Sequence, residues 1–68
     1  MTNTSLLEKY IEDSGYKKSF IAKQIGINAY TLAMKINNES EFKANEMTIL
    51  CELLKISAAD KEAIFFAK

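Results

Sequence analysis

The sequence predicts an all-α fold, a compact bundle of about five short helices. Three observations carry this. Apolar residues recur at three- and four-residue spacing. The chain has no proline, and both glycines stand where a helix would end. Apolar residues make up 49% of the 68 positions, which suits a small core and argues against disorder. This length makes one domain, residues 1–68.

The first helix is expected from about Ser5 to Ser14, with Thr4 or Ser5 as its cap and Glu8 in the first turn. Leu7, Tyr10 and Ile11 mark its inward face, and Gly15 ends it. The second runs from about Ser19 to Ile25, with Ser19 read as a cap and Ile21, Ala22 and Ile25 inward. Gly26 stops it. The third begins at Asn28, a good N-cap, and reaches about Ile36, with Leu32 and Ile36 on one face. Asn37-Asn38 marks its exit.

A polar connection leads to a fourth helix, from near Asn45 to near Leu54. Its apolar stripe is Met47, Leu50, Cys51 and Leu54. A fifth follows Ser57, with Ser57 and Asp60 at cap and third position. It ends in Ile64-Phe65-Phe66. Consecutive helical residues lie about 100° apart. Three large apolar side chains in a row therefore span too wide an arc for one small core. Either the chain end folds over the core, or the triplet meets a second copy or a partner.

Composition narrows the function. There is no histidine, which removes the commonest general base and metal ligand. The one cysteine, Cys51, sits at a core position with no base beside it. Neither a catalytic group, nor a metal site, nor a cofactor motif is expected. No signal segment or membrane-length apolar run is visible, and a reducing cytoplasm is the expected location.

Nine basic and nine acidic residues cancel, so distribution matters more than the sum. Residues 1–16 hold one lysine and three acids, and residues 36–46 hold one lysine and three acids. Between them, Lys17 to Lys35 holds four lysines and no acid. That segment is expected to face something negatively charged, with nucleic acid the first candidate.

The same segment carries Ala22, then Gly26-Ile27, then Leu32. Two helices crossing steeply after a short turn bring their backbones close, so a small residue is needed at Ala22. The turn needs positive φ, which glycine adopts freely. Ile27 and Leu32 then fill the angle between the helices. Such packing holds the second helix outwards, where it can enter a major groove.

These residues resemble the helix-turn-helix family of phage repressors and Cro proteins, and the likeness covers nearly the whole chain. It is nearest to small phage-encoded regulators, on Lys35-Ile36-Asn37, Ser40-Glu41-Phe42 and the terminal Ile64-Phe65-Phe66. The resemblance implies a lambda-repressor-like fold and a role in transcription regulation. It also places Lys18 where many relatives carry a phosphate-gripping glutamine.

Lys18, Ser19 and Lys23 are then expected to contact phosphates. Asn28, Ala29, Tyr30, Thr31, Met34, Lys35, Asn37 and Asn38 are expected to contact DNA or a partner, with Ala29, Tyr30, Thr31 and Met34 outward and Asn28 also the cap. The helix has no arginine for bidentate reading of guanine, so Lys35 offers a single donor. Ala29 and Met34 suit thymine methyls. Glu39 and Glu41 follow, where they would repel phosphate. Ile64, Phe65 and Phe66 are expected at an interface.

Two functions follow. One is a Cro-like homodimer that binds a double-stranded operator and regulates transcription by occupancy. The other is a modulator or anti-repressor that uses the same fold to bind a phage repressor protein. In that reading Glu39 and Glu41 meet a basic partner, and Ala29, Tyr30 and Met34 form an apolar centre.

Overall fold

In the computed structural model residues 1–66 are described, and they form five α-helices with no strand among them. These are α1 (Thr4–Ser14), α2 (Lys18–Ile25), α3 (Ala29–Ile36), α4 (Ala44–Leu54) and α5 (Ala58–Phe65). The apolar spacing sends Leu7 and Ile11 of α1, Ile21, Ala22 and Ile25 of α2, and Leu32 and Ile36 of α3 into one core. Leu50 and Leu54 of α4 and Ile64 and Phe65 of α5 complete it, with Phe42 and Ile56 entering from the connections. Helix α2 packs on α3 and α4, while α1 lies against α3, α4 and α5.

The turn between α2 and α3 has the positive-φ glycine expected of it. Gly26 has φ +93° and ends α2. Its N–H and that of Ile27 both donate to the Ala22 carbonyl, at 2.9 and 3.0 Å. A Cβ placed on Gly26 would meet nothing within 4 Å, so the glycine serves the backbone angle and not a tight space. Ala22 is buried, at 1% exposure.

Two expected caps differ. Helix α1 is capped by Asn3, whose Oδ1 accepts from the Leu6 N–H at 3.2 Å, and not by Thr4 or Ser5. Thr4 is already helical, and its hydroxyl donates to the Ile36 carbonyl at 2.5 Å. The first turn of α1 therefore holds no acid, and Glu8 falls in the second. Helix α2 begins at Lys18 with Lys17 as its extended N-cap residue, so Ser19 lies inside the first turn and caps nothing. Asn28 and Ser57 cap α3 and α5 as expected, accepting from Thr31 N–H at 2.7 Å and Asp60 N–H at 3.1 Å.

The terminal triplet divides. Ile64 and Phe65 are core residues, at 0% and 5% exposure, with the Phe65 ring edge-on to Phe42. Neither is free to form an interface. Phe66 is the exposed member, at 55%. No helix of the described residues is long and apolar enough to cross a membrane.

Candidate nucleic-acid or protein interface

Helix α3 turns Leu32, Lys35 and Ile36 inward, which leaves the opposite face outward. Ala29 and Tyr30 are exposed at its leading end, and Thr31 and Met34 are half-buried behind them. The exposed Asn28 is engaged as the cap, its Oδ1 accepting from the Thr31 N–H. Asn37 is exposed at the C-terminal end.

The lysines of the acid-free segment do not act alike. Lys17, Lys18 and Lys23 are exposed. Lys18 Nζ lies 3.0 Å from a Glu8 carboxylate oxygen, an exposed pair worth little to stability but one that offsets its charge. Lys35 is the larger correction, because its side chain is buried and cannot read a base. Its Nζ sits 2.5 Å from Glu46 Oε1 and 6.0 Å from the centre of the Phe42 ring. Glu46 Oε1 also accepts from the Lys43 N–H at 2.7 Å, capping α4. Burial pushes the Glu46 carboxyl up. The hydrogen bonds from Lys35 and Lys43, with the charges of both, outweigh that and hold it below the ordinary carboxylate value.

Asn38 is likewise drawn inward in function, though it is exposed. It adopts φ 65°, and its side-chain amide accepts from Thr2 N–H at 2.7 Å and donates to the Thr2 carbonyl at 3.0 Å. It clamps the N-terminal segment to the end of α3 and is not free for a partner. Glu39 and Glu41 remain exposed.

Tyr16 and Phe20 form a surface feature that sequence reasoning missed. Their rings stack at a tilt with centroids 5.1 Å apart, and both side chains are about two-fifths exposed, at 42% and 41%. The signal was present. Ile21, Ala22 and Ile25 fix the buried stripe of α2, and Phe20 falls about 100° from Ile21 on the side away from Ala22 and Ile25, off that stripe.

Cys51 is half-buried, and burial pushes its thiol up while the Lys61 charge pulls it partly back. A protonated thiol is a poor nucleophile. Among the described residues no group of histidine, cysteine or acids is placed to hold a metal. No protein-family model matches this chain, and no characterised protein or solved structure does either.

Proposed function

We propose that the chain is a phage-type transcriptional regulator, a Cro-like homodimer whose α2 and α3 form a DNA-binding helix-turn-helix. The observation that carries this reading is the pairing of an uncovered leading end on α3 with an acid-free α2. Ala29 and Tyr30 stand exposed, and Lys17 and Lys23 are exposed with no carboxylate partner among the described residues. In this reading α3 enters the major groove of an operator. Ala29 and Met34 meet thymine methyls, and Tyr30 and Thr31 supply polar contacts. Lys17 and Lys23 neutralise phosphates, with Lys18 and Ser19 beside them. Two copies span successive major grooves about 34 Å apart, and occupancy alone blocks polymerase.

A second reading is favoured by one specific observation. Of the four lysines in the segment, Lys18 is offset by Glu8 and Lys35 by Glu46, while Tyr16, Phe20 and Tyr30 are exposed. Lost basic charge and gained aromatic surface suit a protein partner better than phosphate. The chain is then a modulator or anti-repressor that binds a phage repressor. A fluorescence anisotropy titration tests both. DNA from the protein's own gene neighbourhood is titrated with and without the adjacent repressor protein. Binding by the chain alone supports the operator reading. An effect on DNA binding only through the repressor supports the second and removes the first.

A further inference from the structure

Helix α3 rests on α2 and α1, and α4 is not among the helices it packs closely against. Among the described residues one hydrogen bond joins α3 to α4, from Lys35 Nζ to Glu46 Oε1, and both side chains are buried. The socket for the ammonium is itself held. Glu46 Oε1 also accepts from the Lys43 N–H, which ties the carboxylate to the start of α4. The Phe42 ring beside the ammonium is buried and packed edge-on to Phe65.

Such a pair adds little stability that apolar residues of similar volume would not supply. It adds direction, because an apolar contact tolerates sliding while a charge-assisted hydrogen bond does not. Two further ties hold the same end of α3: the Thr4 hydroxyl on the Ile36 carbonyl, and the Asn38 clamp on Thr2. At the leading end, among the described residues, no side-chain hydrogen bond reaches another helix, and Ala29 and Tyr30 project uncovered. Lys35 lies about 9 Å along the axis from Ala29 at the ordinary helical rise. A swing of about 10° at the tied end then moves Ala29 by about 1.5 Å, more than a hydrogen bond to a base edge tolerates.

We propose that Lys35 and Glu46 are positioning residues, whose buried pair fixes the direction of α3 and so sets how selectively Ala29, Tyr30 and Thr31 read their target. The inference rests on α3 being the contacting helix, and it deepens the operator reading.

The test compares the full chain with Lys35→Met/Glu46→Gln, which removes the tie and keeps an acceptor for the Lys43 N–H. Ile64→Val, a core change on α5, controls for lost stability. Residual dipolar couplings of ¹⁵N-labelled protein give the direction of α3 relative to α2 and α4. Helix α3 is expected to turn in the double variant and not in Ile64→Val, while α2 and α4 keep their mutual angle. In anisotropy titrations, the preference for DNA from the gene neighbourhood over a scrambled duplex should fall about tenfold in the double variant. Binding to the scrambled duplex and its salt slope should not change, and Ile64→Val should keep the full preference. Glu46→Asp provides a second measurement should the double variant not fold. It keeps both charges and draws the carboxylate back, so α3 should follow it and the preference should be intermediate. An unturned α3 in the folded variants overturns the proposal, whatever binds the helix. So does a turned α3 with the parent's full preference. A parent with no preference between the duplexes removes the operator reading instead, and the couplings alone then decide the positioning role.

Discussion

The ammonium of Lys35 and the carboxylate of Glu46 form an ion pair at 2.5 Å with both side chains buried, joining α3 to α4. Removing one partner strands the other charge, a change that costs about 3 kcal/mol or more. Lys35→Met is expected to cost that much in urea unfolding. Lys35→Met with Glu46→Gln should recover part of it, because glutamine keeps the acceptor for the Lys43 N–H without the buried charge. The pair also sets a pH dependence. The Glu46 carboxyl is held below its unfolded value, so its stabilisation is present above the ordinary carboxylate pKa and is lost as pH falls through the folded one. The melting temperatures of the parent and Glu46→Gln should differ at neutral pH and converge in acid. A constant gap across the range would remove Glu46 as the titrating group.

Most of the fold was legible because the signals are local. Period, caps and two glycines place five helices to within a residue or so. The misread caps have a local cause too. Asn3, Thr4 and Ser5 are all good N-caps in a row, and only the Thr4 bond to Ile36 and the Asn3 geometry separate them. The site was less legible because it depends on pairings between distant elements. Lys35 lies three residues after Leu32 and next to Ile36, on the buried stripe, and Glu46 lies four before Leu50 on another. Opposite charges on two apolar stripes were a readable sign of an internal pair. Lys18 with Glu8 and Asn38 with Thr2 gave no comparable sign, since both meetings arise from how the helices pack.

Ala22 is expected to be intolerant of size. It is 1% exposed where α2 meets its neighbours. Ala22→Leu adds three carbons to a filled space and should cost about 1–3 kcal/mol by overpacking. Chemical denaturation reads this directly. A variant as stable as the parent would show that the contact yields easily.

Lys55 points to a stabilising change. It ends α4 at φ 57°, a left-handed conformation that a side chain disfavours, and the Ile56 N–H donates across it to the Cys51 carbonyl at 2.9 Å. Lys55→Gly relieves the strain while loosening the unfolded chain, for a net gain of about 0.5–1 kcal/mol. A thermal melt should rise by a few degrees. A lower melting temperature would mean that the lysine side chain contributes more than its backbone costs.

On the operator reading, the lysines should separate in a salt titration of DNA binding. Lys23→Ala removes an exposed cation with no carboxylate partner among the described residues, and should lower the log–log slope by about 0.9. Glu8→Gln is expected to tighten DNA binding and steepen the slope, because it releases Lys18 from its 3.0 Å pair. Neither change should alter sequence preference. An unchanged slope in both variants takes α2 out of the phosphate contact.

Tyr30 distinguishes the two functional readings in one residue. At 74% exposure it contributes little to folding, so its variants should match the parent within about 0.5 kcal/mol in stability. On the operator reading the hydroxyl bonds a base edge or phosphate. Tyr30→Phe should then weaken DNA binding about as much as Tyr30→Ala, near 1 kcal/mol. On the anti-repressor reading the ring is the anchor. Tyr30→Phe keeps that ring and should bind the repressor almost as the parent does, while Tyr30→Ala loses about 2 kcal/mol or more. Paired titrations of both variants against operator DNA and against the repressor separate these patterns. Parent-like binding by Tyr30→Ala to both targets would take the leading end of α3 out of either interface.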